Sequence, residues 1–303
     1  MNETGGLRMD TPLEVFIAVV ERRSFSRAAD DLHMTQPAVS QHIRVLEEYY
    51  GVKLVERRNR FIRLTKAGEV LYAQAKRIVR EYAQARRLLE DLTQKVQGPL
   101  RIGASLTFGE YVLPRVLARF RRVYPDVQPE VIIANTRHVA DQVLARELDV
   151  GIVEAELCHP ELEVTPFLPD TMRVILPVDH PLASAERVEA SALSGETWIV
   201  RELGSGTREM ADRLLAQAGI RPRAVMAFGS NQIIKESVEA GLGVALLSER
   251  ALGKELALRT LASVEIAGHP VRRWFSTVVH ASQFRTRTVD VFLAHLRSCP
   301  DFS

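Results

Sequence analysis

The chain has 303 residues, of which 46% are hydrophobic and 26% charged, so it can bury the cores of two or three domains. Its formal charge is +2 over residues 1–66, +2 over 67–97 and −2 over 98–303, which makes the first third the better partner for a polyanion. Two cysteines, Cys158 and Cys299, form no disulfide framework, and no CxxC or paired-histidine spacing indicates a redox or metal site. The N-terminus is polar, and no apolar run reaches the ~18 residues of a membrane span. We therefore expect a soluble, cytoplasmic protein without a membrane partner.

The first predicted helix covers residues 11–22. Leu13, Phe16, Ile17 and Val20 recur at helical spacing, so this face is predicted to brace the helices that follow.

Residues 26–50 predict two further helices joined by a tight turn. Ser26 is expected to cap the first, and Thr35 to cap the second. The apolar face of the second helix comprises Val39, Ile43, Leu46 and Tyr50. Its other face comprises Gln36, Pro37, Ser40, Gln41 and Arg44. Such side chains near a helix start suit the base edges and phosphates of a DNA major groove, although a solvated face on an ordinary helical pair is the alternative.

Residues 51–65 predict a β-hairpin with its turn at Arg58 and Asn59. Four arginines, Arg57, Arg58, Arg60 and Arg63, crowd this segment against a single Glu56. A basic run is usually a solvated surface. Beside a DNA-reading helix, however, it is placed for phosphate contact and minor-groove insertion.

The stretch SFSRAADDLHMTQPAVSQHIRVLEEYYGVKLVERRNRFIRLTKAG resembles the winged helix-turn-helix of LysR-type transcriptional regulators. The resemblance implies that Gln36, Pro37, Ser40 and Gln41 contact the major groove. It also implies that Arg57 and Arg60 serve the wing. Many relatives carry arginine where this chain has Gln41, so the base read there differs. It also implies that residues 1–8 are a disordered extension of a DNA-binding domain over 1–66. The predicted DNA-binding residues are Thr35, Gln36, Pro37, Ser40, Gln41, Arg44, Arg57, Arg58 and Arg60.

Residues 67–97 predict one long helix that ends at Gly98–Pro99. Apolar residues recur at alternating spacings of four and three from Leu71 to Val96, which is a heptad seam. Packing against its own domain is the alternative, but a strict seam of this length favours pairing with a second chain. The predicted dimerisation residues are Leu71, Ile78, Tyr82, Ala85, Leu89 and Leu92.

Residues 98–303 alternate short apolar runs with helical stretches, which predicts an α/β domain with a largely parallel sheet. The predicted lobe I covers about 99–170 and 268–303, and lobe II covers about 171–267. Two such lobes resemble the periplasmic-binding-protein fold, which is how the LysR family builds its effector domain.

Four loops between a strand and a helix are predicted to form an effector site between the lobes. Ligands in such folds lie at the carboxyl ends of strands and at helix N-termini, which favour negative charge. Each loop alone is more often a simple helix cap, but four at equivalent places favour a binding site for a small anion or polar metabolite. The predicted residues are Ser105, Thr107, Asn135, Thr136, Ser205, Thr207, Arg208 and Asn231.

Two stretches that resemble enzyme motifs are incomplete. Residues 241–246 lack the third glycine of a dinucleotide fingerprint, and residues 204–208 lack the ending of a P-loop. We find no nucleophile elbow and no catalytic constellation, and we expect neither an enzyme nor a cofactor other than the effector. A solute-binding protein or a small-molecule enzyme on a two-lobed fold is the alternative, but neither explains residues 26–63.

The resemblance implies a homotetramer, built as a dimer of dimers, that bends promoter DNA and alters access for RNA polymerase. The stretches GASLTFGEYVLP and DVGIVEAE are most similar to members that govern sulfur assimilation or carbon fixation.

Overall fold

The computed structural model describes residues 11–58, 61–91, 95–154, 157–282 and 284–299. The chain divides into an N-terminal unit and a C-terminal unit between residues 93 and 94. Over the described ranges, no helix combines the length and the apolar character that a bilayer crossing needs.

Three helices and a hairpin form the first part of the N-terminal unit, as the sequence predicts, and a long fourth helix completes it. The three helices and the hairpin are α1 (Thr11–Arg22), α2 (Phe25–Asp31), α3 (Gln36–Tyr50), β1 (Val55–Arg58) and β2 (Phe61–Leu64). The predicted cap of α2 is wrong, because Ser24 rather than Ser26 accepts the hydrogen bond from the Arg27 N–H. On α1, Val15, Phe16 and Val19 are the fully buried residues, so the helix is rotated slightly from the predicted face.

Helix α3 is held at both ends by its own sequence. Thr35 caps it by accepting a hydrogen bond from the Ala38 N–H, and Gly51 ends it in the left-handed region at φ 66°. Val39, Ile43 and Leu46 are buried as predicted. Tyr50 is exposed, because the helix runs past the edge of the small core before it ends.

The long helix α4 (Lys66–Asp91) is shorter than predicted. Residues 95–97 are not helical, and Gly98 and Pro99 begin a strand instead of ending the helix. Val96, the last position of the predicted seam, packs against the core of the C-terminal unit. The heptad spacing of apolar residues in the sequence therefore continues past the end of the helix.

The C-terminal unit contains one mixed sheet with the strand order β4-β3-β5-β12-β6-β10-β8-β9, to which β11 and β7 attach beside β6. Its strands are β3 (Gly98–Ser105), β4 (Val127–Ala134), β5 (Val150–Val153), β6 (Leu162–Pro177), β7 (Arg187–Val188), β8 (Thr197–Arg201), β9 (Ala224–Phe228), β10 (Val244–Ser248), β11 (Leu261–Ile266) and β12 (Val271–His280). Its helices are α5 (Leu106–Tyr111), α6 (Leu113–Val123), α7 (Thr136–Leu144), α8 (Gly206–Gln217), α9 (Asn231–Glu239), α10 (Gly253–Leu258) and α11 (Arg287–Ser298).

The two largest hydrophobic clusters of the C-terminal unit lie one in each lobe. Lobe I packs β3, β4 and β5 against α5, α6 and α11, and lobe II packs β8 and β10 against α8. Pairing is parallel within each lobe, whereas the long strands β6 and β12 run antiparallel through both lobes. The sheet is therefore mixed rather than largely parallel. In the β6–β12 register Asp170 lies opposite Arg273, beside the predicted junction of the two lobes.

Candidate functional sites

Helix α3 presents a polar face that is free of the core. Gln36, Pro37 and Gln41 are exposed, and the Gln36 side-chain amide donates a 2.9 Å hydrogen bond to Ser40 Oγ. Arg44 pairs with Glu48 one turn along, and this hydrogen bond together with the carboxylate charge raises the pKa of Arg44. The predicted DNA-reading face is therefore accessible to another molecule.

The hairpin is fastened to α3 by a residue that the sequence reading missed. Glu47 accepts hydrogen bonds from the backbone N–H groups of Leu54 and Val55 and from Lys53 Nζ. Burial alone would raise the pKa of Glu47, but these hydrogen bonds outweigh it and lower the pKa below its usual value. Arg57 and Arg58 belong to strand β1, and Arg60 lies outside the described residues.

The predicted dimer seam on α4 is buried in its first part and exposed in its later part. Ala75 is fully buried in the N-terminal core, and Leu71 packs against the same core. Further along the helix, Ile78, Tyr82 and Leu89 are 50%, 43% and 68% exposed. Ala85 is also exposed, and Leu92 lies outside the described residues. The first turns of α4 therefore belong to the N-terminal unit, and the later turns leave an apolar stripe uncovered.

Three predicted effector residues carry hydroxyls at helix starts on the facing edges of the lobes. Ser105 precedes α5, Thr136 begins α7 and Ser205 precedes α8, and all three are buried. Ser105 Oγ and Thr136 Oγ1 are buried and have no hydrogen-bond partner among the described residues. Buried hydroxyls without a partner are costly, which is typical of a site that a ligand or water completes.

Direct contacts bring these loops together across the lobes. The Arg137 N–H donates to the Gly204 carbonyl at 3.1 Å, which joins the start of α7 to the loop before α8. The Asn231 amide lies 3.4 Å from Thr107 Oγ1, which joins α9 to α5. We call the space between these loops the cleft.

A buried charge cluster, which the sequence reading missed, closes one side of the cleft. Glu154 follows β5 and accepts hydrogen bonds from the Thr107 N–H, from Thr207 Oγ1 and from Arg273 Nη1. Arg273 also binds Asp170 at 2.8 Å. We call Glu154, Asp170 and Arg273 the hinge cluster, because it joins both lobes to the strands that cross between them.

The pKa of Asp170 shows how strongly burial acts in the hinge cluster. Burial raises this pKa, although Arg273 and a hydrogen bond from Ser248 oppose the rise. Charges at this depth persist because each has a partner.

The remaining predicted residues already have partners within the chain. The Asn135 side chain caps α7, and Asn231 also accepts a hydrogen bond from Arg201, a buried arginine whose main partner is Glu202. Arg208 pairs with Asp212 and donates to the Arg201 carbonyl. Among the predicted effector residues, the structure therefore leaves Ser105 and Thr136 as the groups that most need an external partner.

Known proteins resemble the chain over nearly its whole length. Residues 11–69 match the profile of a bacterial regulatory helix-turn-helix protein of the lysR family, and residues 93–299 match the LysR substrate binding domain. The HTH-type transcriptional regulator CysL of Bacillus subtilis (strain 168) is 37% identical over 286 residues, which is 94% of this chain and 96% of CysL.

A probable RuBisCO transcriptional regulator of Synechocystis sp. is 34% identical over 297 residues, which is 96% of this chain and 86% of that protein. The solved regulatory domain of Synechocystis PCC6803 CcmR in complex with 2-PG superposes with a TM-score of 0.63 at 30% identity, covering 67% of this chain and 97% of that domain. Together with the helix-turn-helix and the two-lobed domain, these matches show that the chain belongs to the LysR family of transcriptional regulators, which join a DNA-binding domain to an effector-binding domain.

Proposed function

We propose that this chain is a one-component bacterial regulator that reads promoter DNA with α3 and the β1–β2 wing, and that responds to a small anion bound in the cleft. The observation that carries the effector proposal is the pair of buried, unpartnered hydroxyls of Ser105 and Thr136 at two helix starts. A solute-binding protein has no use for the helix-turn-helix, and we propose no catalytic activity for this chain.

DNA reading is supported by the polar face of α3 and the arginines of the wing. The bond between Gln36 and Ser40 fixes two side chains that suit base edges, at the helix end that enters a major groove. Arg60→Ala should weaken operator binding and flatten its salt dependence, because one phosphate or minor-groove contact is lost. Arg121→Ala, an exposed arginine of α6, is the matched control. An unchanged salt slope in Arg60→Ala would refute the wing assignment.

Self-association is supported by the apolar stripe on the later turns of α4. Tyr82→Glu should separate the subunits, because it places a charge in a buried seam. Val70→Glu is the control on the same helix, since Val70 is 59% exposed and lies off the seam. Sedimentation should show dissociation for Tyr82→Glu alone, and equal sedimentation of both variants would contradict the proposal.

A second self-association surface would allow a dimer of dimers. Strands β4 and β9 are the two ends of the main strand order of the sheet, and they expose apolar side chains that include Val131, Ile133 and Val225. Exposed apolar edges invite pairing with another chain. We propose that a homotetramer bends its operator and that effector binding changes this bend and so the access of RNA polymerase.

The effector is proposed to be a small anion. Ser105 and Ser205 do not cap the helices that they precede, so their hydroxyls and the nearby backbone N–H groups favour negative charge, apart from the Thr107 N–H, which already donates to Glu154. The 2-PG bound to the CcmR regulatory domain is the first candidate, and the RuBisCO regulators among the relatives agree with the carbon-fixation resemblance.

The test is thermal stabilisation by 2-PG and by sulfate in the wild type, in Ser105→Ala and in Ser184→Ala. We expect a rise in Tm with at least one anion, which is lost in Ser105→Ala and kept in Ser184→Ala, an exposed serine of lobe II. Operator binding without effector should be unchanged in both variants. Equal anion affinity in Ser105→Ala and in the wild type would place the effector elsewhere.

A further inference from the structure

A cavity of about 380 Å³ lies on the flank of the lobe junction, outside the cleft hydroxyls described above. Its walls come from three places: Leu157 after β5, Met210 and Arg213 on α8, and Pro166 and Trp274 on the crossing strands β6 and β12. We call it the hinge cavity. Lobe I, lobe II and the strands that connect them therefore all contribute to one concave surface.

One side of the hinge cavity is apolar and incompletely covered. Val164, Pro166 and Met210 line it, and the Trp274 indole beside them is 53% exposed. An indole is among the largest apolar groups in a protein, and leaving half of it in water forfeits much of its burial energy. A planar group stacked on Trp274 would recover that energy.

The other side of the hinge cavity carries positive charge. Arg213 and Arg272 line it together with Glu209. Arg272 pairs with β6 through its backbone, but its side chain is exposed and makes no hydrogen bond or ion pair within the described part of the chain. Glu154 and Arg273 also line the cavity, but they are 4% and 6% exposed and are already paired within the hinge cluster, where Arg273 also binds Asp170. The exposed Arg272 guanidinium gives this wall a group that suits an anion.

We infer that the hinge cavity is a second ligand site, which binds a small organic anion with an aromatic body, such as an aryl phosphate or aryl carboxylate. The ring stacks on Trp274, and the anionic group pairs with Arg272. The volume suits a ligand of this size. Ser105 and Thr136, which carry the proposed cleft site, do not line it.

Occupancy of this site favours one arrangement of the lobes, because its walls belong to both of them. The cavity shares Glu154 and Arg273 with the cleft, so the two sites contact the same hinge cluster. A ligand in either site that prefers one arrangement changes the affinity of the other site by the same factor.

Trp274 supplies the assay. The chain has two tryptophans, and Trp198 is fully buried, so acrylamide quenching of the full-length protein reports mainly on Trp274. The probe is phenyl phosphate, with inorganic phosphate and phenol as its two halves. We expect phenyl phosphate to protect Trp274 from quenching at lower concentration than either half alone.

Variants assign the probe to the hinge cavity. Arg272→Gln should weaken phenyl phosphate binding about tenfold, since a charge-assisted contact is lost. Arg121→Gln, which removes the same charge from a distant helix, should bind like the wild type, and so should Ser105→Ala. Absence of protection, equal loss in Arg121→Gln, or dependence on Ser105 in place of Arg272 would each overturn the inference. The last of these outcomes would move the probe to the cleft while leaving the cleft proposal intact.

Discussion

Replacing Arg273 with methionine tests whether the hinge cluster holds the C-terminal unit together. Arg273, Glu154 and Asp170 have side chains that are 3%, 3% and 1% exposed. Arg273→Met removes the cation that the two buried carboxylates share, and Asp170 keeps a longer contact with Arg250 at 3.7 Å. Breaking a buried ion pair by removing one partner costs ~3–5 kcal/mol. For a unit of this size that corresponds to a fall in Tm of roughly 6–20 °C.

The matched control is Arg285→Met. Arg285 also bridges two carboxylates, Glu163 and Asp290, but its side chain is 37% exposed, so the expected cost is about 0–1 kcal/mol. Both tryptophans lie in the C-terminal unit, so their fluorescence during urea unfolding reports on this unit. Equal loss of stability in the two variants would refute the claim that burial makes the hinge cluster strong.

The same variant has a definite pH dependence. Burial already holds the pKa of Asp170 above its usual value of 3.8, and loss of Arg273 should raise it further. A raised carboxyl pKa means that the folded state binds the proton more tightly than the unfolded state. The deficit of Arg273→Met should therefore be largest above the folded pKa of Asp170 and should shrink as the pH falls through it towards 3.8. A deficit that grows on acidification would contradict this assignment.

Three changes in the N-terminal unit should each be visible as faster amide hydrogen exchange in α1–α3. Glu47→Gln should cost about 1–2 kcal/mol at neutral pH, and because the pKa of Glu47 is lowered, the difference from wild type should persist above 4.5 and vanish as the pH falls through the folded pKa. Thr35→Ala should cost about 1 kcal/mol through loss of the α3 cap at all pH values. Gly68→Ala should cost about 3 kcal/mol, because a Cβ there would lie 2.0 Å from the Leu54 carbonyl oxygen. Exchange rates like those of the wild type would contradict each in turn.

Local patterns predicted the reading helix well, since a threonine cap, an early proline and apolar residues at helical spacing all act within α3 itself. The end of α4 was predicted wrongly for a physical reason. Val96 continues the heptad spacing but packs against a different core, and spacing alone does not say which core an apolar residue joins. The same limit explains Ala75, whose burial in the N-terminal unit removes it from a partner's reach.

The sequence predicted the loop residues of the cleft but not its hinge cluster. Hydroxyls and asparagines that follow strands mark helix starts in any sequence, and those positions do meet between the lobes. Arg273 lies 103 residues from Asp170 and 119 residues from Glu154 along the chain, and only the topology of the crossing strands brings them together. A buried acid directly after the strand VGIV was the available signal, because an acid at the end of an apolar strand needs a partner.

The charge balance at the cleft leads to a last prediction, which rests on the proposed effector site. The buried arginines beside it are already neutralised: Arg273 by Glu154 and Asp170, and Arg201 by Glu202. Attraction for an anion must then come from backbone N–H groups and hydroxyls, which are dipoles rather than full charges and are buried from the salt solution. Binding of 2-PG should therefore weaken only slightly between about 50 and 200 mM salt, whereas operator binding, which neutralises several phosphates, should weaken by orders of magnitude over the same range. Titrations of one protein preparation with 2-PG and with operator DNA at each salt concentration test this prediction. An effector affinity as salt-sensitive as operator binding would mean that exposed cations, such as those of the hinge cavity, hold the anion instead.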